Sequence, residues 1–269
     1  MTKNDNQIFK LSEVERTEKP RDEGITVIID TGQGVAATQD LLETASNYID
    51  YCKLGWATWL IMPKNIIKKK LKLYHDHNIK TLSGGSALEA AILAGKAEEF
   101  LETLKDLEFT AIEISIGIIN LSPQEKSKLI RNVKRMGFQT VITEVGRKSK
   151  EEDARLEISD RIQQIKSDLS VGADYVTIEA RESGVGIGPY DEEGKVKEIF
   201  IEKIASQITT KKIIWEAPLK SQQVWLITRF GPNPNLGNIK PSDVIPLETL
   251  RLGLRGDTMI KLLTKKQVY

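Results

Sequence analysis

Val141-Ile-Thr-Glu144 is an apolar run that ends in a carboxylate. Ala111-Ile-Glu113, Val176-Thr-Ile-Glu179 and Ile213-Ile-Trp-Glu216 repeat the pattern, roughly every 30 to 40 residues, with a helix-like segment between each pair. A carboxylate is costly to bury without a partner. Four at equivalent positions point to one site built from the ends of parallel strands, which is how a (β/α)8 TIM barrel assembles its mouth.

Working outward, strand-like segments are expected at 25–30, 49–54, 80–83, 111–115, 140–145, 175–179, 213–216 and 234–239. Helices are expected at 40–48, 63–77, 87–94, 96–107, 122–136, 159–171, 197–208, 222–230 and 244–254. The helix at 122–136 has a capping box: Ser122 as N-cap, Pro123 at the first position and Glu125 at the third. Residues 1–19 read as a polar tail with one short helical turn, and 20–269 as a single barrel domain. An open doubly wound sheet is the alternative, but no strand leads through a GxGxxG turn into a helix.

Composition narrows the function. The chain has 269 residues, 40% hydrophobic and 29% charged, with a formal net charge of +1. That balance gives no global field for nucleic acid or an anionic membrane. No apolar run has the length of a membrane span or a signal peptide. Cys52 is the one cysteine, which excludes an intrachain disulfide and suits a reducing cytoplasm.

Residues at strand ends face the mouth of a barrel. Asp30, Lys53, Gly84, Gly85, Glu113, Glu144, Glu179, Glu216 and Asn235 are therefore the first candidates. Some of the carboxylates could form inward-facing salt bridges. For all four, a divalent metal is the better counter-charge, and hard oxygen donors suit Mg²⁺. Arg147, Lys148 and Arg181 follow the carboxylates closely, as donors for phosphate or carboxylate would. The loops Ser183-Gly184-Val-Gly-Ile-Gly188 and Asn233-Pro-Asn-Leu-Gly237-Asn238 would let backbone N–H groups approach an anion. Lys68, Lys69, Lys70 and Lys72 read as a solvated helix face, and His75 and His77 as surface residues near that helix's end.

The chain resembles the phosphosulfolactate synthase family. The resemblance runs from Lys19-Pro-Arg21 nearly to the C-terminus. It is carried by Tyr48-Ile-Asp-Tyr-Cys-Lys-Leu-Gly-Trp56, Gly84-Gly-Ser86 with Glu89, Glu113-Ile-Ser115, Thr143-Glu-Val-Gly146, Glu179-Ala-Arg-Glu-Ser-Gly184, Glu216-Ala-Pro218 with Gln222-Gln223, Asn235-Leu-Gly-Asn-Ile239 and Leu247-Glu-Thr-Leu-Arg-Leu-Gly-Leu-Arg255 with Asp257-Thr258. It implies a (β/α)8 barrel that adds sulfite to phosphoenolpyruvate with Mg²⁺, the first step of coenzyme M synthesis in archaeal members. It also implies a homo-oligomer, a trimer.

By this resemblance Lys148 takes the place of the family's catalytic lysine, and the residue reading sets Lys53 and Glu144 beside it as catalytic candidates. Arg181, Ser183, Gly184, Gly237, Asn238 and Arg147 would bind substrate, and Glu113, Glu144, Glu179 and Glu216 would carry the metal. In that scheme sulfite attacks C3, Mg²⁺ stabilises the charge that develops on the carboxylate, and Lys148 protonates C2.

Several positions depart from the family pattern: Thr31 for Lys or Asn, Ala57 and Trp59 for Gly and Ser, Ser86 for Thr, Ile116 for Asp or Asn, and Arg147 at a variable position. Thr31, Trp59 and Ile116 remove polarity or add bulk near the expected mouth. They bear on the nucleophile. Two other readings stay open: a related phosphoenolpyruvate-using lyase with a less charged nucleophile, and a non-catalytic barrel homologue.

Overall fold

The computed structural model describes residues 13–264 together with Phe9 and Leu11. Residues 13–18 carry no helix, and the rest of the turn expected within 1–19 lies outside the described residues. Eight parallel strands form one sheet in the order β3-β2-β1-β8-β7-β6-β5-β4. They are β1 Thr26–Asp30, β2 Tyr51–Leu54, β3 Lys80–Leu82, β4 Ala111–Ile114, β5 Thr140–Val145, β6 Tyr175–Ile178, β7 Ile213–Glu216 and β8 Asn235–Ile239. The helices between them are α1 Val35–Ala45, α2 Lys64–Asp76, α3 Gly85–Leu93, α4 Ala97–Asp106, α5 Pro123–Arg135, α6 Lys150–Asp153, α7 Ile158–Ser170, α8 Glu198–Ala205 and α9 Lys220–Phe230, with α10 Val244–Arg251 and α11 Gly256–Leu263 at the end. This is the (β/α)8 barrel.

Strand alternation divides the core in two. Ile25, Val27, Tyr51, Leu82, Ala111, Ile142, Tyr175 and Ile214 fill the barrel interior. Their neighbours Ile28, Cys52, Ile112, Val141, Val176 and Trp215 face outward, where the helices cover them. Both faces of each strand are buried, which is why the strands read as nearly continuous apolar runs. One step above the interior core, the same inward parity brings Lys53, Glu113, Glu144 and Glu216 to the mouth.

The parity also corrects the sequence reading of Asp30. Ile29 faces the mouth, and Asp30 faces the helices. There it meets Lys70, whose Nζ lies 2.7 Å from Asp30 Oδ2 with both side chains wholly buried. Tyr74 donates to the same oxygen at 2.9 Å. Lys70 is therefore a core residue and not part of a solvated face. His75 and His77 are half-buried and bonded, to Thr81 Oγ1 at 3.0 Å and to the Leu73 carbonyl at 2.9 Å. Burial lowers the His75 pKa below the usual imidazole value.

The capping box at Ser122 is formed as expected. Two helices escaped the sequence reading, α6 and α11. The first α-helix begins at Val35, earlier than expected, because Gly34 in an extended conformation serves as its N-cap.

Candidate active site

The mouth of the barrel holds a cavity of about 670 Å³. Glu113, Glu144, Glu179 and Glu216 all line it, so the four strand-end carboxylates do converge. Lys53 reaches in from β2 and bridges two of them, with Nζ 3.2 Å from both Glu113 Oε1 and Glu216 Oε1. The second oxygen of each is taken by a backbone N–H: Gly85 donates to Glu113 at 2.9 Å and Ala180 to Glu216 at 2.8 Å. Burial opposes the charge on Lys53, but Glu113, Glu216, Glu144 and Glu179 outweigh it and raise its pKa. Two of the carboxylates are thus paired within the protein, the salt-bridge arrangement the sequence left open.

The other two share Lys148. Its Nζ lies 3.3 Å from Glu144 Oε1 and 3.6 Å from Glu179 Oε2, and donates to Ser86 Oγ at 2.9 Å. Ser115 donates to Glu144 Oε1 at 2.6 Å. Burial works against the Glu144 carboxylate. Lys148, Glu179, Lys53 and Ser115 together overcome it and hold its pKa below the usual range. Glu179 goes the other way: burial first, then the neighbouring Glu144 and Glu216, push its pKa well up. Its Oε1 accepts the Arg181 N–H at 2.7 Å, while Oε2 is buried with no hydrogen-bond partner. Lys148 is desolvated too, yet Glu144, Glu179, Glu89 and Glu113 raise its pKa. It therefore carries its proton across the neutral range.

Among the residues expected to bind substrate, Arg181 and Asn238 line the cavity. Arg181 Nη1 donates to the Lys148 carbonyl at 2.9 Å. Asn238 donates to the Arg181 carbonyl at 3.2 Å, and its Oδ1 is buried without a partner. The structure does not bring Arg147, Ser183, Gly184 or Gly237 to the cavity wall. Arg147 turns away and holds the Ile116 and Ile119 carbonyls and Asn120. Gly184 packs on Pro218 and on the start of α9, where Gln222 donates to its carbonyl at 2.7 Å. Gly237 lies in β8, where a Cβ would come within 3.1 Å of Ile214.

Thr31, Trp59 and Ile116 also lie off the wall. Thr31 is exposed. Trp59 sits behind the strands, donating to the Ser83 carbonyl at 3.0 Å and packing on Phe100 and Phe109. The expectation that these three reshape the mouth is overturned. Trp56 and Ala57 form that part of the wall, both in the left-handed region with φ of 55° and 53°. Three polar groups were not singled out for the site by residue chemistry: Ser86, Ser115 and Glu89. Glu89, on α3, accepts from Ser115 Oγ at 3.2 Å and from the Ile118 N–H at 3.0 Å. The polar residues in the Gly84-Gly-Ser86 and Glu113-Ile-Ser115 segments were the available signal.

Among the described residues no three carboxylate, imidazole or thiolate side chains form a group that could enclose a metal ion. The remaining candidates to hold one are Glu144 and Glu179, which line the cavity and share Lys148, and Glu179 Oε2 accepts no hydrogen bond. That set suits Mg²⁺, which commonly takes one or two carboxylates and fills its shell with water and substrate oxygens.

Comparison with known proteins places the chain in a family. The sequence profile of the (2R)-phospho-3-sulfolactate synthase family matches residues 14–257. A phosphosulfolactate synthase of Methanocaldococcus jannaschii is 46% identical over 238 residues, covering 88% of this chain and 94% of its own. One from Methanothermobacter thermautotrophicus is 42% identical over 246 residues, covering 91% and 95%. Among solved structures, 3-hexulose-6-phosphate synthase from Salmonella typhimurium superposes with a TM-score of 0.53 at 13% identity, covering 89% of this chain and 99% of that one, a likeness of fold alone. With its barrel, its lysine–carboxylate mouth and these relatives, the chain is an enzyme that belongs to the phosphosulfolactate synthase family.

Proposed function

We propose that this enzyme adds sulfite to C3 of phosphoenolpyruvate in a Mg²⁺-dependent reaction, giving phosphosulfolactate. One observation carries the reading: Lys148 projects its ammonium into the cavity between Glu144, Glu179 and Ser86, beside Arg181. The sulfite sulfur lone pair forms the C3–S bond. The C2–C3 π electrons move toward the carboxylate and then take a proton at C2. Lys148 Nζ supplies that proton and is recharged from solvent. The Arg181 guanidinium, open to the cavity, offers donors to the phosphate. Lys53 offsets part of the repulsion between the two anions. Mg²⁺, held by Glu144 and Glu179, would supply Lewis-acid stabilisation of the negative charge that develops on the substrate. A bound cation would also favour the ionised form of Glu179, against the burial and the neighbouring carboxylates that push its pKa up. A buried, free Cys52 suits a cytoplasmic setting.

The wall gives no support to the less charged nucleophile. The departures that favoured it, Thr31, Trp59 and Ile116, do not line the cavity. Incubation with phosphoenolpyruvate, Mg²⁺ and a panel of nucleophiles, read by mass spectrometry, tests the choice. Sulfite is expected to give the sulfonated adduct, and an adduct with another nucleophile but none with sulfite overturns the reading. Calorimetry of phosphoenolpyruvate binding should show weaker affinity in EDTA. Equal affinity with and without EDTA would rule out the metal.

A further inference from the structure

Asp153 and Arg161 form a buried ion pair outside the cavity. Arg161 Nη2 lies 2.8 Å from Asp153 Oδ1 and donates to the Asp153 carbonyl at 2.8 Å, and the two side chains are 7% and 2% exposed. Neither residue lines the mouth. The Arg161 guanidinium lies over the Phe200 ring, 5.2 Å from its centre, and its Nε and Nη1 have no partner. A pair this buried, with donors left over, is poorly explained by stability, since desolvation offsets most of the attraction.

Its connections suggest another role. Asp153 Oδ1 accepts the Arg147 N–H at 2.9 Å, and Oδ2 accepts the Gly188 N–H at 2.8 Å. One carboxylate therefore ties the loop after β5 to the loop after β6. Arg147 immediately precedes Lys148, whose own N–H donates to the Gly117 carbonyl at 3.0 Å and whose carbonyl takes Arg181 at 2.9 Å. The Lys148 stem runs over Gly117, where a Cβ would come within 2.8 Å of Lys148 Cγ. Gly117 and Arg181 fix Lys148 itself, and Asp153 fixes the residue before it.

We propose that Asp153, oriented by Arg161, is a positioning residue for Lys148, acting through Arg147 and the loop that carries both. The proposal rests on the role given to Lys148 above. Asp153→Asn removes one acceptor oxygen and sets an NH2 group against a backbone N–H or against Arg161, so the loop must shift.

The test has two arms. In the first, Asp153→Asn and Lys148→Met are combined in a double-mutant cycle on turnover of phosphoenolpyruvate and sulfite. Asp153→Asn alone should lower kcat about 10- to 100-fold with KM changed less than about threefold, a loss confined to the transition state. In the Lys148→Met background it should change the residual rate less than about threefold. An equal fractional loss in both backgrounds, or a loss in KM alone, overturns the proposal.

The second arm needs no turnover. Lysines are labelled with an amine-reactive reagent and read by peptide mass spectrometry, with exposed Lys69 of α2, outside the altered loop, as the internal standard. The Lys148-to-Lys69 labelling ratio should change in Asp153→Asn, and an unchanged ratio overturns the proposal. If the wild type does not use phosphoenolpyruvate and sulfite but the ratio still changes, the positioning role stands and the proposed reaction falls. Should Asp153→Asn fail to fold, Arg161→Lys, which keeps the charge but loses the fork, takes its place with the same expectations at smaller size.

Discussion

At the scale of single residues, Lys148 and Glu179 are two ends of one electrostatic problem. Carboxylates around Lys148 hold its pKa up against burial, while for Glu179 burial and then the neighbouring carboxylates Glu144 and Glu216 push the pKa up together. If Lys148 protonates C2, Lys148→Met should lower single-turnover product formation by roughly 10²–10⁴-fold. Phosphoenolpyruvate affinity, measured on the same variant, should move much less. Loss of affinity in parallel with rate would mean that the lysine only grips the phosphate. Glu179 has its own consequence for stability. Its folded pKa is raised by burial, Glu144 and Glu216, so between the unfolded and the folded pKa the native state binds more protons. Stability is then lost as pH rises through that window. Glu179→Gln removes the titration. In EDTA it should raise the urea midpoint at pH 8 by more than at pH 5, and an equal gain at both values would contradict the assignment. Ala57 gives a third test. At φ 53° an alanine pays a steric cost that glycine does not, so Ala57→Gly should add about 1 kcal/mol of unfolding free energy.

Between residue and fold stands a recurring device at the strand ends. The last inward or outward polar side chain accepts the N–H two residues on: Asp30 from Gly32 at 2.9 Å, Ser115 from Gly117 at 3.1 Å, Glu179 from Arg181 at 2.7 Å. Each stops the strand and turns the chain, which explains why a carboxylate or hydroxyl is needed there apart from any chemistry. A bulge does similar work in β8, where two steps along β1, from Thr26 to Ile28, match three along β8, from Leu236 to Ile239. The extra residue, with Asn238 at φ 55°, is what delivers that side chain to the cavity. The Asp30–Lys70 pair links β1 to α2 in the outer core, and breaking it leaves a buried carboxylate without its counter-charge. Lys70→Met should cost about 3–5 kcal/mol in denaturant unfolding, while phosphoenolpyruvate affinity stays near wild type. Much of this level was legible in sequence. The apolar runs ending in glutamate gave the strands and the mouth, because a strand buried on both faces tolerates a charge only at its end. Asp30 was misplaced because it also ends a strand, and only its parity relative to Ile29 sends it to the helices. Lys70 was misread because a lysine run on a helix resembles a solvated face until a carboxylate is found behind it. Arg147 and the glycine loops could not be aimed from sequence at all, since their direction depends on partners far along the chain, the Ile116 and Ile119 carbonyls for Arg147 and Gln222 for Gly184.

Across the whole molecule, the two ends of the barrel are held by different means. At the N-terminal end of the strands the described segment before β1, residues 16–21, lies against the barrel. Arg16 pairs with Glu248 of α10 at 3.0 Å, and Lys19 donates to the carbonyls of Ser46, Ile49 and His77. Arg251 reaches under β8 and β1, donating to the carbonyls of Pro232 and Pro234. The family match from residue 14 takes in this segment. Around the barrel, each neighbouring pair of strands has its ladder except β3 and β4. That seam is closed by side chains. Thr110 Oγ1 accepts the Thr81 N–H at 2.9 Å, Lys80 reaches past to Thr140 at 2.8 Å, and Glu113 accepts the Gly85 N–H at the mouth. A strand edge that depends on single side chains opens more easily than one with a ladder. Glu113 is both a staple of the seam and a wall of the cavity, so opening there would disturb the Lys53 pairing as well. Thr110→Val keeps the shape and removes the acceptor, leaving the Thr81 N–H unsatisfied at a cost of about 1–3 kcal/mol. Amide exchange should quicken first at Thr81 and Gly85 in this variant, while the β5–β6 amides keep wild-type protection. Uniform loss of protection around the barrel would mean that the seam is no weaker than the ladders, and that closure is a property of the whole sheet.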